Sequence, residues 1–161
     1  MQVIFDRLSK FVGFLGRLEL FAFSRGSWNL QPHEAQLIQA VRAELDTGQK
    51  DILDRQLSKR FFVDRIGGDG RVNVIHFDDL DASCLYEDPA FQLLRYRVRF
   101  SSNGANHNAF IEFYEGRLFS ISFKRLGRTF KGTNIDILSV NVSQSKRGID
   151  EQLDRLEHGR T

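Results

Sequence analysis

Polar and apolar side chains alternate through three successive segments between residues 93 and 124, LLRYRVRFS, NAFIEFY and RLFSISFK. A period of two is typical of strands that bury one face and expose the other. The breaks between the segments, at 102–107 and at Glu115-Gly116, are short and rich in turn-forming residues. The region therefore predicts three neighbouring strands joined by hairpins, which restricts the fold to one that contains an antiparallel sheet.

The first 58 residues have a helical period instead. Residues 1–18 form an amphipathic helical pattern, which we expect to pack on the rest of the domain. A second helix is predicted from Pro32, because proline suits the first helical position and Gln31 and Glu34 have capping-box spacing. A third, short helix is predicted around residues 52–57.

Alternation begins at Arg60, where FFVDRI and RVNVIHF flank a glycine-rich break and predict a further hairpin. A long connection follows from Asp78 to Pro89, and IDILSVNV predicts the last strand. Helices first and strands after predict an α+β fold, with N-terminal helices packed on one face of an antiparallel sheet of about five to six strands. We expect one domain: a helical part (1–58), the sheet (60–142) and a charged C-terminal segment (143–161).

Composition narrows the possible functions. The formal net charge of +2 is too small to indicate nucleic-acid binding by itself, and exposed stacking aromatics are expected to be few, because fifteen of the aromatic residues are phenylalanines. The single cysteine, Cys84, excludes an internal disulfide and favours a reducing compartment, so we expect a cytoplasmic protein. Charged residues interrupt the apolar N-terminal segment, and we expect no membrane span.

The arginines of RYRVRF, at 95, 97 and 99, belong to one face of their strand. With residues 102–107 as a loop, Arg97 is expected opposite Glu112 and Arg99 opposite Phe110, with a cation–π contact between the latter two residues. For the next turn, a two-residue loop would require a positive φ at Glu115, which is unfavourable. A three-residue loop, Tyr114-Glu115-Gly116, with glycine in a G1 bulge, agrees better with the hydrophobic pattern.

This three-residue turn predicts which side chains share the arginine face. It sends Phe119, Ile121 and Phe123 into the core and leaves Leu118, Ser120, Ser122 and Lys124 beside the arginines. The candidate binding surface consists of Arg95, Arg97, Arg99, Phe110, Glu112 and Lys124. It would suit a protein partner, and an acidic one would match its charge, whereas the alternative is a solvated face, open or covered by the acidic C-terminal segment. An uncovered edge strand or the N-terminal helix would allow a homodimer.

Catalysis is the competing interpretation. His76 precedes Asp78, Asp79 and Asp81, and carboxylates at a strand end can hold Mg²⁺ or Ca²⁺ with the histidine as a base. However, His76 alternates with Val72 and Val74, as a core residue would, and no second acidic cluster completes a metal site. His33-Glu34 lacks the second histidine of a zinc motif, and no phosphate-binding or nucleophile-elbow pattern occurs. The sequence favours a non-catalytic protein-interaction domain without a cofactor, and disfavours nucleic-acid binding.

Overall fold

Two helices precede a six-stranded sheet in the computed structural model, which describes residues 26–66, 70–77, 80–123 and 134–145. Helix α1 spans Pro32–Glu44 and helix α2 spans Thr47–Ser58. The predicted α+β fold is therefore confirmed, with the helices N-terminal to the strands. The predicted N-terminal helix, Asp78, Asp79, Lys124 and the C-terminal segment from residue 146 lie outside the described residues.

The starts of both helices follow from local chemistry. At α1, Pro32 occupies the first turn and the Glu34 carboxylate accepts the backbone N–H of Gln31 at 2.7 Å, as the capping-box spacing predicts. At α2, the Asp46 carboxylate accepts the backbone N–H of Gln49 at 2.8 Å. Each bond satisfies a backbone donor that the first helical turn leaves without an intrahelical acceptor.

The strands form one antiparallel sheet in the spatial order β1-β2-β5-β4-β3-β6. The bounds are β1 Phe61–Ile66, β2 Arg71–His76, β3 Leu93–Ser102, β4 Ala105–Tyr114, β5 Arg117–Phe123 and β6 Asp136–Ser145. The last strand runs three residues beyond the predicted one. Within the predicted long connection Ala82–Cys84 forms a short 3₁₀ turn, and a second one, Pro89–Gln92, begins at its last residue.

The helices cover one face of this sheet, called here the inner face. Helix α1 packs against β3, β4 and β6, and α2 packs against β5 and the Ala82–Cys84 turn. The side of α1 that faces the sheet supplies Leu37, Ile38 and Val41 to the core. The strands supply equally buried side chains from their inner face, including Val63, Val98, Phe100, Ile111, Phe113 and Ile121. The opposite, outer face carries the arginines.

The β3–β4 register corrects one expectation. The strands are joined by a two-residue turn, Asn103-Gly104, in which both residues have positive φ, rather than by a loop from 102 to 107. Asn-Gly is the dipeptide most typical of this turn, because both residues tolerate the left-handed region. The pairing shifts accordingly: Arg97 lies opposite Phe110 and not Glu112, and Arg99 lies opposite Asn108 and not Phe110. The shift is by two residues, so the arginines stay on the outer face.

The β4–β5 turn corrects a second expectation. It is the two-residue turn Glu115-Gly116, with φ of 49° and 74°, and not the predicted three-residue loop. The bulge lies instead within β5, where Phe119 is the extra residue between the pairs Phe113–Leu118 and Glu112–Ser120. Leu118 is consequently buried rather than beside the arginines, and Phe119 is 38% exposed rather than in the core. Beyond the bulge the predicted faces return, because Ile121 pairs with Ile111 and Ser122 with Phe110.

Tertiary hydrogen bonds hold this unfavourable turn. The carbonyl of Gly116 accepts the backbone N–H of Tyr86 at 3.0 Å and the side-chain amide of Gln56 at 2.9 Å. The same fully buried Gln56 accepts the backbone N–H of Leu118 at 2.9 Å. A Cβ atom on Gly116 would lie 2.7 Å from the carbonyl oxygen of Tyr86, so close approach as well as φ requires glycine here. These bonds offset the conformational cost at Glu115.

Candidate functional site

The outer face of β3 presents three arginines in a row, and they have unequal surroundings. Arg95 is half-buried, whereas Arg97 and Arg99 are exposed. Tyr96, Val98 and Phe100, which alternate with them, are buried on the inner face beneath the helices. The period of two thus separates the charges from the core, as the sequence predicts.

Arg95 is neutralised within the sheet. Its Nε donates to Glu112 Oε1 at 2.8 Å and its Nη2 also donates to that oxygen, while the ring of Phe110 lies 5.5 Å from its guanidinium carbon. From β2, Arg71 reaches the other oxygen of Glu112 at 3.2 Å, and Ser120 donates to it as well. The cation–π contact expected from Arg99 is therefore made by Arg95. Glu112 is saturated by partners from three strands and offers little to a ligand.

Arg97 and Arg99 differ from this cluster because no acceptor reaches them among the described residues. Their cross-strand neighbours are Phe110 and Asn108 on β4, and Asn141 and Ser139 on β6. None of these side chains carries a charge. Arg97 and Arg99, whose Cα atoms are about 7 Å apart along the strand, therefore form an exposed positive patch beside the half-buried Phe110. We call Arg97 and Arg99 the arginine pair.

The structure brings together five of the six predicted surface residues, since Lys124 lies outside the described residues. Sequence reasoning missed Arg71, which joins Glu112 from β2. The alternation of RVNVIHF places Arg71 on the face opposite Val72 and Val74, which was a usable signal. The position of β5 between β2 and β4 brings Arg71 near Glu112. This position depends on long-range strand pairing, which has no local signature in the sequence.

Strand β6 forms an edge of the sheet and adjoins the arginine pair. Among the described residues no strand pairs with its outer side. Ile137, Leu138 and Val142 are 39–58% exposed. On the inner face an open groove of about 670 Å³ runs along the contact between α1 and β6, with Ala40 and Ala43 on the helix side and Leu138 on the strand side. The edge is therefore apolar and unpaired in the described part of the chain.

The acidic candidate site is only partly described. Asp81 caps the Ala82–Cys84 turn by accepting the backbone N–H of Ser83 at 2.9 Å, and lies 3.8 Å from Lys59. His76 lies against the ring of Phe61, and both its ring nitrogens are buried without a hydrogen-bond partner among the described residues. Burial and, second, the positive charge of Arg117 lower the pKa of His76 to about 4. Within the described ranges no three potential metal ligands are grouped together. This interpretation still depends on Asp78 and Asp79.

Comparison with protein-family models, with curated proteins and with solved structures finds no match to this chain. Of the helices in the described ranges, none is long and apolar enough to cross a membrane.

Proposed function

We propose that this protein is a non-catalytic interaction domain that binds an acidic segment of a partner protein at the arginine pair. One observation carries the proposal: Arg95 is neutralised by Glu112, whereas the neighbouring Arg97 and Arg99 are exposed and have no anionic partner in the described part of the chain. A charge that the fold does not use is available to a ligand. The expected compartment remains the cytoplasm, because the only cysteine is a free thiol.

The geometry suggests the chemistry of the partner. Arg97 and Arg99 lie on the same face of β3, and their Cα atoms are about 7 Å apart, the spacing of alternate residues in an extended chain. Two carboxylates separated by one residue would match them, and an apolar side chain nearby would contact the ring of Phe110. Guanidinium groups suit this role because their planar donors pair with carboxylates in a bidentate manner.

The test is the binding of a labelled peptide in which glutamate alternates with valine, measured by fluorescence polarisation. The wild-type protein should bind it, and should bind the glutamine version of the peptide more weakly. Changing Arg97→Glu and Arg99→Glu together should weaken binding of the acidic peptide at least about tenfold, because two ion pairs are lost and repulsion is added. The free energy of unfolding should change by less than about 0.5 kcal/mol, since both side chains are exposed.

A matched control reverses two exposed charges on the helical side, Arg55→Glu and Lys59→Glu. It makes the same change in net charge but leaves the outer face intact, so binding should persist. Equal losses in both double variants would mean that only net charge matters, and would contradict the proposal. Binding of a short DNA duplex with a steep dependence on salt, in preference to the peptide, would assign the arginine pair to phosphates instead.

A further inference from the structure

Along most of its length strand β6 lacks two of the features by which edge strands avoid pairing with other chains, charged side chains and proline. Residues 137–145, ILSVNVSQS, contain neither a charged residue nor a proline. Two bulges, at Leu138 and Ser143, interrupt the β3–β6 ladder and leave Ser139–Val142 as its regular central segment. In that segment Val140 and Val142 share the inner face, because they pair with Val98 and Tyr96, and Asn141 is on the outer face beside Arg97.

The sequence around this segment is self-complementary when two copies run antiparallel. With Asn141 opposite Asn141 of the second copy, Val140 lies opposite Val142 in both directions, so apolar side chains meet on the inner face. Ser139 likewise lies opposite Ser143, so no like charges meet along this segment. The same residues face each other in both directions, as an isologous contact requires.

We propose that β6 pairs antiparallel with β6 of a second copy, about a two-fold axis at Asn141, to give a homodimer with a continuous twelve-stranded sheet. This inference extends the proposed function, and its functional consequence, the binding of one partner by two copies, rests on that function. The two arginine pairs would lie on the same outer face, three strand spacings or about 14 Å apart. A partner with two acidic segments could then contact both copies at once, which raises affinity by effective concentration.

A charge swap at Asn141 tests this register. Asn141→Asp and Asn141→Lys should each weaken dimerisation roughly fivefold in sedimentation equilibrium, because like charges then meet at the two-fold axis. Mixing the two variants should restore association, because the mixed dimer brings an aspartate opposite a lysine at that position.

Asp51→Lys, an exposed charge reversal on α2, is the control for this charge swap and should leave dimerisation unchanged.

A second test addresses the apolar centre. Val142→Lys places a charge at the middle of the interface on a side chain that is 58% exposed, so the monomer should still fold. It should reduce dimerisation more than tenfold, whereas Ala105→Lys, an exposed change at the far end of the β3–β4 hairpin, should not.

A wild-type protein that stays monomeric at all concentrations, or a mixture of the swap variants that associates no better than each alone, would overturn the dimer. The proposed function is separable from this result. If the monomeric protein still binds the glutamate–valine peptide, and loses it on reversal of the arginine pair, the binding site stands without the dimer. If Arg97→Glu with Arg99→Glu leaves peptide binding intact while the swap behaves as expected, the dimer stands without the site.

Discussion

At the β1 edge of the sheet, the segment that precedes α1 pairs with the strand and covers it. At the β6 edge, no described residue covers the strand. Ser27 and Val63 exchange both backbone hydrogen bonds, at 3.0 and 2.8 Å, so Ser27 forms an isolated antiparallel bridge with β1. Trp28 then packs on the rings of Phe62 and Phe77, with the guanidinium group of Arg60 over its face. This closed edge is held by backbone, aromatic and cationic contacts together.

An ion pair connects the closed edge to the helical layer. Arg65 on β1 forms a bidentate contact with Glu34 on α1, at 2.9 and 2.7 Å, and also donates to the Ser27 hydroxyl and the carbonyl of Asn29. The segment that covers β1 is thus attached to strand and helix at once. At the other edge, the apolar β6 has no such cover among the described residues. The difference indicates that only one edge is protected by the described chain itself, which leaves the second for pairing between chains.

The largest expected effect concerns the closed edge. Glu34→Ala should lower the free energy of unfolding by about 3 kcal/mol, because it leaves the guanidinium group of Arg65 in a largely buried position without its carboxylate. It also removes the acceptor for the backbone N–H of Gln31 at the start of α1. Urea denaturation measures the change, and hydrogen exchange at Ser27 and Val63 should accelerate.

The matched control for this prediction is Asp54→Ala, which breaks the Arg42–Asp54 pair between the helices. That pair has similar geometry, with bonds of 2.7 and 2.5 Å, but both side chains are partly exposed. Its loss should matter little, since solvent screens exposed ion pairs. Equal destabilisation by both changes would mean that the burial of the Glu34–Arg65 pair is not what holds the closed edge.

A smaller effect is expected at Gly26. A Cβ atom there would lie 2.1 Å from the ring of Phe62 and 2.8 Å from the backbone oxygen of Val63, so Gly26→Ala must displace the covering segment. We expect a loss of about 2 kcal/mol in thermal or urea unfolding. Gly48→Ala, within α2, is the opposite case: its nearest contact would be an ordinary 3.5 Å, and alanine should stabilise the helix. If Gly26→Ala is as well tolerated, the segment is not closely packed on β1.

The closed edge also shows where sequence reasoning succeeds and where it fails. Helix α1 and the strands could be predicted because periodicity and the capping pair at Gln31 and Glu34 are local properties. The additional pairing of Ser27 with Val63 could not, since it joins residues 36 positions apart with no pattern of its own. The same holds for the position of β5 between β2 and β4.

The two hairpin turns were predicted wrongly for different reasons. The dipeptide Asn103-Gly104 is itself a local signal for a two-residue turn. The predicted loop from 102 to 107 was wrong although the sequence contained this signal. At Glu115 the local preference indicated the wrong turn, because hydrogen bonds from Tyr86 and Gln56 to Gly116 outweigh it. The bulge at Phe119 then returned Ile121 and Phe123 to the inner face. The arginines of β3 were therefore placed on the correct face although both turns were misassigned, since a shift of two residues preserves the face, whereas Leu118 and Phe119 were placed on the wrong faces.

The smallest expected effect is a pH dependence at the end of the closed edge, where His76 pairs with Phe61. Burial, and secondarily Arg117, lowers the pKa of His76 to about 4 from its usual 6.5. Between these values the unfolded chain binds a proton that the folded chain does not, so stability should fall as the pH drops from 6.5 to 4 and should not respond to this group above 6.5. We expect the contribution to be about 1 kcal/mol, because His76 as a residue is only partly buried and nearby solvent screens the charge.

Substitution of His76 isolates this contribution from that of the carboxylates. His76→Phe should remove this part of the slope in urea unfolding at a series of pH values, because phenylalanine fills the same site without a titratable group. In the wild type, acid should accelerate hydrogen exchange at Val63 before it affects β3, since His76 and Val63 lie on the paired strands β2 and β1. An unchanged slope in His76→Phe would assign the acid sensitivity to carboxylates elsewhere, and the closed edge would then have no special weakness at low pH.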